Sequence, residues 1–140
     1  MSQIGRVTAL EVAATGINWN FAPCLAVPQD IRWGRTYEGY GENPHLVARL
    51  GAAYVLGLQG DGLQASPAVL ATPKHFVGDG GTAWGSSTSK YYSGGVWRGV
   101  DSERPEIEFI IDQGESRDDE VTLRSVHLRP YVAALEGGAG

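Results

Sequence analysis

The stretch V-L-A-T-P-K-H-F-V-G-D-G-G-T, residues 69–82, joins a short apolar run to charged side chains and a glycine-rich turn. Residues 69–71 are apolar enough for a buried strand, and Pro73 should end it because proline has no N–H for a strand ladder. Lys74 and His75 follow where strand becomes loop, ahead of three glycines that let the backbone turn sharply or approach a ligand closely. This order indicates the rim of a site, not the middle of a core.

The composition is that of a single globular domain and argues against two classes of partner. Of 140 residues, 20 are glycine, about twice the usual ~7% share, which predicts long or tightly turned loops. The formal charge of −5 disfavours nucleic acid and anionic membranes, because both attract basic surfaces. No apolar run approaches the ~20 residues of a membrane span. The first residues lack the pattern of a signal peptide, so the localisation of the chain stays open.

Cysteine and histidine usage predicts no metal and no cofactor. Cys24 is the only cysteine in the sequence, so it can form neither an internal disulfide nor a cysteine metal cluster. Three histidines lie far apart and lack metal-ligand spacing: His45, His75 and His127. We interpret His127 and Cys24 as packing residues.

Helix and strand signals alternate along the first half of the chain. Apolar residues at helical spacing predict a helix over residues 4–14, and alternation over residues 17–22 predicts a strand that ends near Pro23. A second strand is predicted over residues 69–72. Strands that alternate with helices predict the α/β class with a parallel sheet, so these two strands should be adjacent and parallel. Sites in such folds lie in the loops at the carboxyl ends of the strands.

Between the strands lie a loop rich in charge and aromatics, residues 29–42, and a second helix. Asn43 followed by Pro44 predicts the start of this helix, with asparagine as the cap and proline in the first turn. Apolar residues keep helical spacing until Gly60, which predicts its end.

The second half of the chain is predicted to be irregular over residues 78–116, except for a short strand or extended arm at residues 107–111. Ser116 with Asp119 predicts a weak capping box for a last helix. Pro130 should kink that helix or divide it in two, because proline cannot make the helical hydrogen bond.

Several motifs in order resemble glycoside hydrolase family 3, and the similarity covers nearly the whole chain. The main ones are G-I-N-W-N-F-A-P from Gly16, R-W-G-R-T-Y-E-G-Y-G-E-N-P from Arg32 and A-T-P-K-H-F-V-G-D-G-G-T from Ala71. Further matches are Y-V-L-G-L-Q-G from Tyr54 and, from Asp112, D-Q-G-E followed by L-R-S-V-H-L-R-P-Y. The branch most resembled is that of β-glucosidases and exo-acting β-glucan glucohydrolases. The resemblance implies a (β/α)8 barrel of the TIM type that hydrolyses β-glucosides with retention of configuration.

The resemblance also implies where a sugar binds. The second arginine of R-W-G-R and the Lys-His pair match ligands of the nonreducing-end subsite, which fall on Arg35, Lys74 and His75. A guanidinium and an ammonium supply donors for vicinal hydroxyls, and an imidazole donates or accepts according to its tautomer. Glu38 and Asp79 match family positions as well, where they would support the loops. The expected ligand is a β-glucoside or a β-glucan oligosaccharide.

The catalytic carboxyl groups of the family are expected outside residues 1–140. The nucleophile is an aspartate commonly found in a Ser-Asp-Trp context, which does not occur here, and the acid/base is a glutamate usually supplied by a second domain. The chain is therefore interpreted as an internal fragment of the N-terminal domain, a partial barrel truncated at both ends. It would need the remainder of a parent enzyme, expected in the periplasm or outside the cell. Residues 83–105 resemble an insertion.

Other interpretations stay open at this level. Arg35 could simply pair with Glu38 or Glu42, and the Lys-His pair could form a solvated rim. Five loop aromatics could stack on sugar rings, although packing is the commoner role for most of them: Trp33, Trp84, Trp97, Tyr91 and Tyr92. The chain could also be a non-catalytic carbohydrate-binding module, or part of a family 3 enzyme for β-xylosides or N-acetyl-β-glucosaminides.

Overall fold

The computed structural model describes residues 1–65, 67–84, 86, 91–93, 96–98 and 114–139, and has helices packed against a short parallel sheet. In chain order the elements are α1 (Ser2–Ala14), β1 (Trp19–Asn20), a 3-10 turn (Thr36–Glu38), α2 (Pro44–Gln59), β2 (Leu70–Ala71), a second 3-10 turn (Asp79–Gly81), β3 (Tyr91–Ser93), β4 (Val96–Arg98), α3 (Glu120–Thr122), a π-helical segment (Leu123–Leu128) and α4 (Arg129–Glu136). Within the described part of the chain, none of the helices has the length and hydropathy of a membrane span.

The strands β1 and β2 are adjacent and parallel, as predicted. Trp19 lies opposite Leu70, and Asn20 lies opposite Ala71. The parallel ladder joins two residues of each strand, so both strands are shorter than predicted. The α/β class is therefore confirmed. Two strands do not define a barrel, so the (β/α)8 architecture stays a prediction.

The core lies between this sheet and α2. Fully buried apolar side chains of α2, of β2 with the residue before it, and of the loop after β1 contribute to it: Leu25, Val27, Val47, Val55, Leu58, Val69 and Ala71. The helix begins as predicted, because Asn43 Oδ1 accepts from the N–H groups of His45 at 2.9 Å and Leu46 at 3.1 Å, with Pro44 in the first turn. Gly60, with φ of 59°, ends the helix in a conformation that favours glycine.

The predicted helix α1 packs on α2 through glycines rather than through its larger apolar residues. A Cβ on Gly5 would collide with the carbonyl oxygen of Tyr54, and a Cβ on Gly57 would collide with that of Ser2. The two backbones are therefore in contact at this crossing. The apolar residues that predicted the helix are about half exposed: Ile4, Val7 and Leu10.

The last helical region begins at Asp119, and the prediction that Ser116 takes part in its cap is wrong. Asp119 Oδ1 accepts from the N–H of Thr122 at 2.7 Å, so Asp119 is itself the N-cap. The Ser116 hydroxyl donates instead to Asp118 Oδ2 at 2.8 Å. Ser116 precedes this N-cap by three residues.

The last helical region is divided in two next to Pro130, as predicted. The short α3 passes into the π-helical segment, and α4 then begins with Pro130 in its first turn. A proline is tolerated there, because the N–H groups of the first turn have no helical partner.

The segment 78–116 is less irregular than predicted, because β3 and β4 pair antiparallel. Each strand has three residues, too few to show a period of two in the sequence. The predicted strand or arm at 107–111 lies outside the described residues. An antiparallel bridge between Thr82 and Ser116 joins the two ends of the segment.

Candidate functional site

The loops that follow β1 and β2 are joined backbone to backbone just past the strand ends. The N–H of Lys74 donates to the Pro23 carbonyl at 2.9 Å, and the N–H of Leu25 donates to the Lys74 carbonyl at 2.7 Å. Further along, the N–H of Gln29 donates to the Gly80 carbonyl at 2.9 Å. A side chain on Gly80 would overlap the backbone of the first loop, so the close approach requires glycine. These contacts fix one loop against the other.

Four of the five predicted site residues meet at this joint. Arg35 donates to Glu38 through two parallel hydrogen bonds, Nε to Oε1 at 2.8 Å and Nη2 to Oε2 at 2.6 Å. Nη2 of Arg35 also lies 3.3 Å from Nε2 of His75 on the other loop. Asp79 Oδ2 is 3.0 Å from His75 Nδ1 and 3.9 Å from Arg35 Nη1. In this arrangement, which we call the Arg35 cluster, two carboxylates and an imidazole lie next to one guanidinium.

The Arg35 contact indicates the tautomer of His75. A guanidinium only donates hydrogen bonds, so His75 Nε2 must accept in this contact. A neutral ring then carries its proton on Nδ1, the atom that faces Asp79. Nδ1 lies within ion-pair distance of Asp79 but is not aligned for a hydrogen bond, so this atom has no hydrogen-bond partner among the described residues.

The charges of the cluster hold Arg35 and Glu38 in their ionised forms. Hydrogen bonds from Arg35 lower the pKa of Glu38, burial opposes this shift, and the charges of Arg35 and Lys74 add to the lowering. The same hydrogen bonds raise the pKa of Arg35. The simple pairing of Arg35 with Glu38 therefore exists, while Nη1 of Arg35 makes no hydrogen bond within the described part of the chain.

Lys74 lies directly before His75 and is half-buried. Its charge acts on the Glu38 carboxylate, so it belongs to the same electrostatic environment as Arg35 and His75. The Lys74–His75 and Phe76–Val77 peptide bonds are cis. The structure thus brings the predicted site residues to one place, and their role as sugar ligands stays a prediction.

Sequence reasoning missed a pair of residues behind this cluster. His127, interpreted as a packing residue, is 2% exposed, and its Nε2 lies 3.0 Å from Asp118 Oδ2. Burial lowers the pKa of His127, and the Asp118 carboxylate opposes that shift. A Cβ on Gly81 would collide with both side chains, so the pair packs directly against the turn that carries Asp79. No local pattern predicts it, because Asp118 precedes the helix and His127 lies in the π-helical segment.

The loop aromatics that could stack on sugars have different environments. Trp33 is 2% exposed and packs with Cys24 and Ala26, so it is a core residue. Trp84 is 41% exposed, and the guanidinium carbon of Arg32 lies 4.2 Å from its ring centroid. The other three side chains lie outside the described part: Tyr91, Tyr92 and Trp97.

The described residues contain no group of three or more side chains suited to a metal ion. A cavity of about 440 Å³ lies between α1 and the end of α2, where it is lined by Arg6 and Asp61 among others. None of the residues that line this cavity belongs to the Arg35 cluster. The groups that the Arg35 cluster presents are hydrogen-bond donors and carboxylates, and 24% to 38% of each side chain is exposed.

The sequence of residues 1–93 matches the description "Glycosyl hydrolase family 3 N terminal domain". The chain belongs to glycosyl hydrolase family 3. The matched range contains every residue of the Arg35 cluster and also Lys74.

The relatives of this family 3 chain are named as glycosidases of several kinds. It is 37% identical over 95% of its length to a β-xylosidase of Formosa agariphila, and 31% identical over 98% to a periplasmic β-glucosidase of Salmonella typhimurium. Another relative, matched over 56% of the chain, is a β-hexosaminidase of Neisseria meningitidis. The family 3 chain spans 16% and 15% of the length of the first two relatives.

The fold of the family 3 chain is similar to part of a solved exo-1,3/1,4-β-glucanase from a Pseudoalteromonas species. The two share 42% sequence identity and a TM-score of 0.74 over 99% of this chain, which is 19% of the glucanase chain. The order of elements described above is therefore one that a family 3 glycosidase contains.

Proposed function

We propose that the protein containing this chain is a retaining β-glucosidase or exo-β-glucanase that hydrolyses terminal β-D-glucosyl residues. In this proposal, residues 1–140 are an internal part of its (β/α)8 barrel domain, and Arg35, Lys74 and His75 bind the nonreducing-end sugar. One observation carries the assignment: the 3.3 Å approach of Arg35 Nη2 to His75 Nε2, from loops that follow adjacent parallel strands. Family membership supports the reaction type.

The donors of the cluster suit the hydroxyl groups of a sugar. Glu38 fixes the orientation of the Arg35 guanidinium and leaves Nη1 for a ligand oxygen. The Lys74 ammonium supplies further donors, and the Asp79 carboxylate accepts from a hydroxyl. A hydrogen bond to a charged group contributes about 1.5–3 kcal/mol, so a few such contacts would hold one pyranose in a fixed orientation.

The carboxylates of the cluster are poor candidates for the hydrolytic step. Retaining hydrolysis uses two carboxyl groups about 5 Å apart, one as nucleophile and one as proton donor. Glu38 has a lowered pKa and both of its oxygens bound by Arg35, so it cannot donate a proton near neutral pH. Asp79 faces His75 and Arg35. We therefore assign the nucleophile and the acid/base to the remainder of the parent protein.

A β-xyloside is the second candidate substrate, because the relative that is 37% identical is named a β-xylosidase. The donors of the cluster would bind ring hydroxyls that xylose and glucose share, so this site fits either sugar. An N-acetyl-β-glucosaminide is the third candidate substrate, because another relative is named a β-hexosaminidase. A non-catalytic carbohydrate-binding protein would use the same cluster without hydrolysis.

A substrate panel separates these candidates. The full-length gene product, meaning the whole protein that contains this chain, is assayed with the nitrophenyl β-glucoside, β-xyloside and N-acetyl-β-glucosaminide. We expect the highest kcat/KM with the glucoside and retention of configuration by NMR of the first product. A higher kcat/KM with the β-xyloside or the N-acetyl-β-glucosaminide would make that compound the proposed substrate in place of the glucoside. Sugar binding by calorimetry without any turnover would instead support the binding-protein alternative. Cell fractionation is expected to find the protein in the periplasm or the medium.

A further inference from the structure

Asp118 lies behind the turn that carries Asp79 and is held there by two side chains. The Ser116 hydroxyl donates to Asp118 Oδ2 at 2.8 Å, and Nε2 of the buried His127 lies 3.0 Å from the same oxygen. The backbone of Asp118 directly precedes Asp119, the N-cap of α3, and 20% of the Asp118 side chain is exposed. The carboxylate therefore has a defined position.

The turn Asp79–Gly81 is in contact both with Asp118 and with the loop after β1. A Cβ on Gly81 would overlap Asp118 Oδ2, so the carboxylate touches the turn at a position where only a hydrogen atom fits. A Cβ on Gly80 would overlap the backbone of Val27 in the loop after β1. Two neighbouring residues of one turn are thus packed against two different parts of the chain, which limits how far the turn can shift.

The same turn sets the position of the Asp79 carboxylate. The carbonyl of Asp79 accepts from the N–H of Thr82 at 3.2 Å and from the Thr82 hydroxyl at 2.7 Å, which fixes the backbone of Asp79 in the turn. Its side chain is short, and Oδ2 reaches to 3.0 Å from His75 Nδ1 and to 3.9 Å from Arg35 Nη1. A shift of the turn would therefore move the carboxylate relative to both partners.

We propose that Asp118 is a positioning residue for the sugar site: it packs behind the turn Asp79–Gly81 and so keeps the Asp79 carboxylate beside His75. The inference rests on the proposed function, in which His75 and Arg35 bind the nonreducing-end sugar. The Asp79 carboxylate faces Nδ1 of His75 and favours the tautomer whose Nε2 accepts from Arg35. Loss of the Asp118 side chain would leave a gap into which the turn can relax, and a misplacement of ~1 Å can cost about 100-fold in rate.

The first test measures kcat/KM of the full-length gene product with nitrophenyl β-glucoside, well below the unfolding midpoint of each variant. Asp118→Ala should lower kcat/KM by about 10- to 100-fold. Asp118→Asn keeps the shape of the side chain and an acceptor for the Ser116 hydroxyl, so it should retain most of the wild-type value. The control Glu120→Ala removes an exposed carboxylate that pairs with Arg124 at 2.8 Å, and should leave kcat/KM unchanged. Wild-type kcat/KM in Asp118→Ala, or equal losses in any two of the three variants, would overturn the proposal.

A double-mutant cycle separates a positioning role from a general effect on the fold. If Asp118 acts through Asp79, Asp118→Ala should have almost no further effect on kcat/KM in a protein that already carries Asp79→Ala. Independent, additive losses would show that Asp118 acts on another part of the protein and would contradict the proposal. If Asp118→Ala does not fold, Asp118→Ser, which retains a small polar side chain, takes its place in each comparison.

A structural measurement separates this inference from the proposed function. If the wild type neither hydrolyses the three nitrophenyl glycosides nor binds a sugar, the proposed function fails. Crystal structures of the full-length wild type and of Asp118→Ala then decide whether Asp118 positions Asp79. We expect the separation of Asp79 Oδ2 and His75 Nδ1 to exceed the hydrogen-bond limit of ~3.2 Å in the variant alone. The same separation in both structures would overturn the inference.

Discussion

Nε2 of His127 lies 3.0 Å from Oδ2 of Asp118, and both side chains press against Gly81 in the turn that begins with Asp79. This contact connects the last helical region to the Arg35 cluster, since Asp79 faces both His75 and Arg35. Changes behind the turn should therefore affect stability and the site together.

The buried His127 should make stability depend on pH. Burial lowers its pKa below the usual 6.5, so below pH 6.5 the unfolded state binds a proton that the folded state does not. The contribution of His127 is complete above pH 6.5 and is lost as the pH falls toward the folded pKa. Thermal unfolding midpoints of the full-length gene product between pH 5 and 8 measure this dependence.

The control for this prediction is the exposed histidine His45. His127→Gln should flatten the pH dependence of the unfolding midpoint, while His45→Gln should leave it as in the wild type. Identical slopes in the wild type and His127→Gln would show that the buried histidine does not set the dependence.

The backbone contact between α1 and α2 predicts a large effect of one methyl group. Gly57→Ala places a Cβ against the Ser2 backbone, so we expect a loss of roughly 1–3 kcal/mol in the free energy of unfolding. Arg49→Ala is the matched control on the same helix, because the Arg49 side chain is exposed. Denaturant unfolding compares them, and an equal effect of the two substitutions would contradict the described crossing.

Removal of the N-cap of α2 should cause a smaller loss in the free energy of unfolding than Gly57→Ala. Asn43→Ala removes the acceptor for the N–H groups of His45 and Leu46, at a cost of about 0.5–2 kcal/mol. Asn43→Asp keeps an acceptor oxygen and should retain most of the stability. Denaturant unfolding of the two variants checks this, and the cap has no role if both behave alike.

Residues 1–140 alone should not hydrolyse β-glucosides. Glu38 is bound by Arg35 on both oxygens, and Asp79 is held between His75 and Arg35, so neither is arranged as an attacking or protonating group. The measurement is nitrophenol release from a β-glucoside by the purified chain. Steady turnover that disappears in Asp79→Asn would make this residue catalytic and refute the assignment of the carboxyl pair to the remainder of the protein.

Local features of the fold were predictable because their causes lie within a few residues. The cap at Asn43 and Pro44, the end of α2 at Gly60 and the division near Pro130 follow from the backbone chemistry of single residues. The parallel pairing of β1 and β2 followed from the alternation of strands and helices. The prediction of a cap at Ser116 was wrong because the cap position depends on where the first helical turn begins. Asp119, three residues later, also suits that position and occupies it.

Long-range contacts were not predictable from the chain alone. The fit of Gly5 against α2 joins positions about 50 residues apart, and neither glycine stands out in the sequence. The motifs did indicate that Arg35 and His75 belong to one site, but not that Glu38 would bind two nitrogens of the guanidinium. Such geometry depends on how two loops pack, which spacing within one loop does not encode.

The central claim is that the Arg35 cluster and Lys74 bind the terminal sugar, and the decisive measurement is kcat/KM for nitrophenyl β-glucoside in Lys74→Ala. The control is Arg124→Ala, which removes an exposed cation that pairs with Glu120 at 2.8 Å, away from the cluster. We predict a loss of about 10- to 150-fold in Lys74→Ala at an unchanged unfolding midpoint, and no loss in Arg124→Ala. Wild-type kcat/KM in a folded Lys74→Ala variant would contradict the account.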